Sequence, residues 1–282
     1  MEKKETNAVH LHGFVNNVNE VEFEDGTSKF IIDMATQEIY TDNTGETKKK
    51  TSYHDVVLFT GDQEKKEAIR KVADDLKNNY DHKGEEGFKP VIHKASVDGK
   101  LVTKVNTVEV DGEKVDYYNN FVVTSDEQIK IDQPKAKDER QNIAEFEGNI
   151  ANVIFSQDDR FAIVKIATHF YVPGESKNYK GVEKPYTEKT SYIETRLSAN
   201  YRKNEFANLK DGKIAKGDLV KVRGMMHNAE YVDKNDIKRY KIVVDLNKIE
   251  IVAKKKVEEK EKKAEVAEKP SVKKARAKSK TR

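Results

Sequence analysis

The sequence repeats itself, which limits the chain to two copies of one small fold. Gly13-Phe14-Val15-Asn16-Asn17-Val18 returns as Gly148-Asn149-Ile150-Ala151-Asn152-Val153, and Ile31-Ile32-Asp33-Met34-Ala35-Thr36 returns as Ile163-Val164-Lys165-Ile166-Ala167-Thr168. Thr51-Ser52-Tyr53 returns as Thr190-Ser191-Tyr192, Val97-Asp98-Gly99 as Val222-Arg223-Gly224, and Ile129-Lys130-Ile131 as Ile249-Glu250-Ile251. Matches that keep their order mark a duplicated unit. They predict a first module over 1–133 and a second over 143–252. Residues 134–142, which begin at Pro134 and are mostly polar or charged, suit a linker.

Each module reads mainly as strands. Phe30 to Met34, Thr51 to Phe59, Val91 to Val97 and Phe121 to Ile131 are rich in β-branched and aromatic residues, and Asp25-Gly26, Thr44-Gly45, Asp98-Gly99 and Asp111-Gly112 supply turns. Asp62 is placed to cap a helix running to about Asn78, with Ala68, Ile69, Val72, Ala73 and Leu76 on one face. In the second module the helical piece shrinks to a stretch around Asn204 to Leu209. The order β-β-β-α-β-β is that of the OB-fold, a five-stranded barrel whose sheet face and loops bind oligonucleotides. The expected class is therefore all-β with short helices, two tandem OB-fold barrels followed by a disordered tail.

Composition narrows the function. With 37% charged and 36% hydrophobic residues, a chain of 282 suits two small domains better than one large core. No cysteine is present, which excludes disulfide frameworks, thiolate zinc sites and cysteine nucleophiles. The longest apolar runs, Val56 to Phe59 and Phe161 to Val164, are far too short to span a bilayer, and the first residues lack an apolar signal core. A cytoplasmic protein is expected. There is no Walker A, GxGxxG or GxSxG segment, so neither an enzyme nor a cofactor is expected. His10 and His12 share a strand face, but without a supporting carboxylate or cysteine pattern they predict no metal site.

The net charge of +3 is unevenly spread. Residues 253–282 carry 13 Lys/Arg against 5 Asp/Glu, an excess of +8, and the remainder carries 40 against 45. A Lys/Ala/Glu run without aromatics cannot bury enough apolar surface to offset its ordering entropy, so it reads as a disordered basic tail. Its functional reading is a sliding contact with phosphates, and its bland reading is a solvated charge run.

Ala35-Thr36-Gln37-Glu38-Ile39-Tyr40, Thr51-Ser52-Tyr53-His54-Asp55-Val56-Val57-Leu58-Phe59 and Val97-Asp98-Gly99-Lys100-Leu101 resemble, in order and rough spacing, three signature segments of bacterial-type single-stranded DNA-binding proteins. Tyr53 stands where that family usually has tryptophan. The second module keeps Ala167-Thr168, Thr190-Ser191-Tyr192 and Gly217 to Gly224 but lacks the His-x-Val-Val core. The whole chain is similar to the variant with two OB modules per polypeptide, which implies a homodimer presenting four. The resemblance implies base-stacking roles for Tyr40, Tyr53, Phe59, Tyr171, Tyr192 and Tyr231. Val105-Asn106, which cannot stack a base, stands at the first module's counterpart of Tyr231. The family's acidic C-terminal tip, through which replication and repair partners are recruited, is replaced by the basic tail.

The residues themselves point the same way. Strand alternation puts Tyr53, Asp55, Val57 and Phe59 on one face and His54, Val56 and Leu58 on the other. Tyr192, Glu194 and Arg196 stand opposite Ile193 and Leu197, while Lys221 and Arg223 alternate with Val220 and Val222. Lys48, Lys49 and Lys50 occupy a loop that matches the Lys- and Tyr-bearing hairpin Pro173 to Lys189. Aromatics interleaved with cations on a sheet hold unpaired bases without reading them. The expected function is to coat and protect single-stranded DNA in replication, recombination or repair. The alternatives are an OB scaffold for a protein partner and a single-stranded RNA binder.

Overall fold

The computed structural model describes residues 7–41, 44–110, 113–132, 142–177, 183–232 and 238–255. The expected linker, apart from Asn142, and the tail beyond residue 255 lie outside them.

Five strands of the first module are β1 (Asn7–Glu22), β2 (Ser28–Thr41), β3 (Thr47–Thr60), β4 (Lys94–Val110) and β5 (Glu113–Thr124), with helix α1 (Gln63–Asp81) after β3 and a short β6 (Ile129–Ile131). The second has β7 (Asn142–Phe155), β8 (Phe161–Lys177), β9 (Glu183–Ser198), helix α2 (Lys203–Lys210), β10 (Leu219–Val232) and β11 (Lys238–Ala253). Hydrogen bonding runs β1-β2-β3-β5-β4 and back to β1, and β7-β8-β9-β11-β10 and back to β7. Only β3–β5 and β9–β11 pair in parallel within these circuits. Each circuit is a closed five-stranded OB barrel with its helix between the third and fourth strands.

The repeated glycines explain the closure. A Cβ on Gly13 would lie 2.3 Å from the Ala35 carbonyl oxygen, and one on Gly148 would lie 2.3 Å from that of Ala167. Only glycine lets β1 and β7 cross so near the next strand. Two residues on, the ladder slips by one residue, between Val15 and Asn17 and again between Ile150 and Asn152. Such bulges bend the strand and tighten its twist.

Alternation then fills the interior. Leu11, Phe30, Ile32, Met34, Val56, Leu58 and Leu101 are buried in one barrel, and Phe146, Val164, Ile166, Ile193, Leu197 and Val222 in the other. The cores merge because β1 pairs antiparallel with β7, Val9 opposite Ala144 and Leu11 opposite Asn142. One sheet thus runs through both barrels.

Helix α1 is capped as expected, the Asp62 side chain accepting from the Lys65 amide, but it continues to Asp81. It buries Ile69 and Val72, whereas Ala68 faces solvent. The unexpected buried member is Lys66, whose ammonium reaches Glu22 Oε1 and the Gly26 carbonyl, each at 3.0 Å. Arg70 adds a bidentate contact to Glu20. The helix is therefore tied to the β1–β2 turn by charge as well as by apolar contact.

Four local expectations differ from the structure. Val91 to His93 is not strand, because the Asn79 carboxamide bonds both the amide and the carbonyl of Val91 and holds that segment against α1. Phe121 to Ile131 divides at a turn over Ser125–Gln128, which the Gln128 amide closes onto the Ser125 carbonyl. Lys48 to Lys50 belong to β3 rather than a loop, since β2 and β3 pair out to Thr41 opposite Thr47. Asn142, expected in the linker, is the first residue of β7 and is buried.

Candidate nucleic-acid interface

Tyr53 and Tyr192 occupy the same place in the two barrels, Tyr53 opposite Ala35 on β2 and Tyr192 opposite Ala167 on β8. They remain 51% and 47% exposed on strands whose neighbouring residues, Ser52 and His54 or Ser191 and Ile193, are buried. Phe59, at the end of β3, is likewise 51% exposed. Large aromatics standing off an otherwise packed sheet offer flat, preformed faces.

Each tyrosine is held by the other barrel. Asn228 of β10 accepts from the Tyr53 amide through Oδ1 at 2.6 Å and donates from Nδ2 to the Tyr53 carbonyl at 3.0 Å. Thr103 of β4 donates from Oγ1 mainly to Asn120 Oδ1 at 2.7 Å and shares that proton with the Tyr192 carbonyl at 3.1 Å, and its amide donates to Ser191 Oγ at 3.1 Å. Asn228 and Thr103 are equivalent under the repeat, so the clamp is reciprocal. Asn120 on β5 adds a bond to the Ile242 carbonyl on β11 at 2.7 Å.

Charge around Tyr53 is acidic on one side. Asp33 and Asp55 stand directly opposite one another two residues from the Ala35–Tyr53 pair. Partial burial pushes both carboxyls above their ordinary range, and for Asp33 the neighbouring Asp55 adds to the rise. Phosphates are disfavoured there.

The cations lie elsewhere. Lys48 and Lys49 are exposed on the β2–β3 hairpin and Lys50 is half-buried; Lys48 lies 3.8 Å from Glu46. Lys221 is exposed on β10. Arg223 Nε sits 2.9 Å from Glu145. Arg196 makes a bidentate pair with Asp245, at 2.7 and 2.9 Å, and so carries a compensated charge. Tyr231 is half-buried with the Lys241 ammonium 5.3 Å from its ring centre. Tyr40 and Tyr171 lie on β2 and β8, but their side chains are outside the described residues, as is the tip of the Pro173–Lys189 hairpin.

His10, His12 and His54 are structural. His10 Nδ1 meets Asp98 at 2.7 Å and His12 Nδ1 meets Ser96 at 2.9 Å, each across to β4. Among the described residues no group of three His, Asp or Glu is arranged to hold a metal ion. Nor is any described helix long and apolar enough to cross a membrane. His54 fills the core side, its Nε2 sharing a 2.9 Å hydrogen bond with Thr36, while its buried Nδ1 has no partner among the described residues.

Sequence reasoning did not reach Asn228, Thr103 or the Asp33–Asp55 pair. Extending the repeat from Val97-Asp98-Gly99 and Val222-Arg223-Gly224 along the fourth strands aligns Thr103 with Asn228, so a signal was present. That each reaches the opposite barrel is a property of the junction alone.

Among solved structures, the wild-type single-stranded DNA binding protein from Thermus aquaticus is 19% identical to this chain, with a TM-score of 0.52 over 89% of this chain and 95% of its own. A deletion mutant of that protein is 18% identical, with a TM-score of 0.51 over 90% and 97%. At this identity the likeness is one of fold. No protein-family model and no curated protein matches the sequence.

Proposed function

We propose that this protein coats single-stranded DNA, stacking bases on Tyr53, Tyr192 and Phe59 and neutralising phosphates with the lysines of the β2–β3 hairpin and with Lys221. The observation that carries the reading is the twin exposed tyrosines at one register position of two joined barrels, each with its backbone pinned by the other barrel. Pinning lowers the ordering cost of binding, and stacking is worth roughly 1–3 kcal/mol per base whatever the base. Such a surface suits binding without sequence preference, and binding rather than catalysis. The shared fold of the Thermus aquaticus single-stranded DNA binding protein supports it.

The role that follows is protection of unpaired DNA during replication, recombination or repair in the cytoplasm. Two chains together present four barrels, and light scattering should then give twice 32.3 kDa rather than 32.3 kDa. The deciding experiment is a titration with oligo-dT, duplex DNA of equal length and single-stranded RNA at two salt concentrations. Oligo-dT should bind most tightly, with affinity falling at a log–log slope of about −0.7 per neutralised phosphate. Equal affinity for the duplex would overturn the stacking interface.

A further inference from the structure

The two barrels differ at one set of equivalent positions. In the first barrel Val57 lies opposite Val123, and Val102 sits beside them on β4. In the second the same places hold Arg196 opposite Asp245, with His227 on β10. Three valines there suffice to close a barrel. An ionic cluster at the same site is no general gain in stability over apolar packing, so the fold does not require it.

What the cluster does is line a cavity of about 560 Å³ at the junction of the barrels, with Lys50 reaching in from the first. A volume of this order suits a small-molecule ligand. Its walls carry the four cations Lys50, Arg160, Arg196 and Arg202 against the two carboxylates Glu38 and Asp245. Arg196 is held by Asp245 and lies 5.8 Å from the Phe161 ring centre, and Arg160 is paired with Asp158. Lys50 and Arg202 have no side-chain partner among the described residues. Tyr201, 80% exposed, stands on the rim.

His227 ties this wall together. It is only 6% exposed, its Nε2 lying 3.2 Å from the Arg196 guanidinium and its Nδ1 3.1 Å from Asp245 Oδ2. Burial above all lowers its pKa to about 4, so the ring is neutral at physiological pH.

We propose that this cavity is a binding site for one nucleoside 5′-phosphate unit, with phosphate on Lys50 and Arg202 and the base against Phe161 and Tyr201. The unit is either a free nucleotide or a single nucleotide within a bound strand; the latter case rests on the single-strand reading above. Two unpaired cations beside aromatic faces match that chemistry, and the cavity admits a single nucleotide rather than a base pair.

The test titrates the full chain with dTMP, thymidine and inorganic phosphate by NMR, and with oligo-dT by fluorescence, for the wild type and for Arg202→Gln and Tyr201→Ala. Tyr201 is exposed and Arg202 half-buried, and thermal melting checks that each variant folds. dTMP should saturate one site per chain, with thymidine and phosphate each at least about tenfold weaker because each satisfies half of the site. Arg202→Gln should weaken dTMP about tenfold. Displacement of dTMP by oligo-dT, or an oligo-dT affinity lowered about tenfold by Arg202→Gln, assigns the site to a nucleotide in the strand. dTMP retained beside saturating oligo-dT assigns it to a free nucleotide. No saturable dTMP binding at millimolar concentration, together with an oligo-dT affinity unchanged by both substitutions, overturns the proposal and leaves strand binding intact. Failure of the wild type to bind oligo-dT strikes the proposed function instead, and the dTMP titration still decides the cavity.

Discussion

The side chain of Asn228, in the second barrel, replaces a strand for Tyr53, in the first: its carboxamide bonds both the amide and the carbonyl of the tyrosine peptide. A side-chain amide here does what a backbone peptide does in a ladder, at a part of the junction where β3 and β10 lie close without pairing. Asn228→Ala removes both bonds and leaves the Tyr53 ring in place. It should lower oligo-dT affinity by about 1 kcal/mol, through lost preorganisation, with faster dissociation in stopped flow. Unchanged dissociation would mean that the clamp only joins the barrels.

Tyr53→Ala and Tyr192→Ala should each weaken oligo-dT binding by about 1–3 kcal/mol while leaving the melting temperature nearly unchanged. Both rings are about half exposed, so little core is lost. A collapse in melting temperature with normal binding by the folded remainder would assign the rings to packing.

Thr168→Val should stabilise the protein by about 1 kcal/mol in chemical denaturation. Thr168 is buried and its hydroxyl has no partner among the described residues. Its counterpart Thr36 bonds His54 and accepts from Asn142, but the second barrel has Ile193 in the place of His54. The same change at Thr36 should destabilise, because it strands two buried partners.

Acid should weaken the fold through His54. Burial, reinforced by His227 nearby, lowers its pKa from 6.5 to about 4, and Lys50, Arg196 and Asp245 lie around that second imidazole. An unfolded chain takes up the proton near 6.5 and the folded chain only near 4. The stabilisation is therefore complete above the first value and is lost as pH falls toward the second, by about 3 kcal/mol for His54. Denaturation at about pH 7.5 and about pH 4.5 should reveal this loss in the wild type. His54→Ile, which copies Ile193, should remove its share of the difference and leave that of His227, whose pKa is lowered as far, and an unaltered pH dependence would remove His54 as a source.

Deleting residues 256–282, most of the basic tail, should slow association with DNA at low salt and make the salt dependence shallower, with little difference at high salt where screening shortens its reach. Melting should be unchanged. Tighter binding after deletion would indicate that the tail instead competes with DNA.

The repeat alone determined that there are two modules of one kind, and period-two alternation determined which residues turn inward. Gly13 and Gly148, Tyr53 and Tyr192, and Tyr53 against His54 all announce their places locally, because glycine tolerance and strand alternation are short-range properties. Helix α1 was equally legible from Asp62 and its apolar spacing, although Lys66 is buried where a charge is not expected. Only the tertiary structure decided how the barrels meet. Pairing of β1 with β7, the reach of Asn228 and Thr103 across the junction, and the gathering of Lys50, Arg202 and His227 around one cavity depend on register and distance between segments far apart in sequence. Neither composition nor periodicity encodes these. The valine trio and the Arg196–Asp245–His227 cluster occupy the same address in the repeat, yet their different surroundings appear only once both barrels are closed and joined.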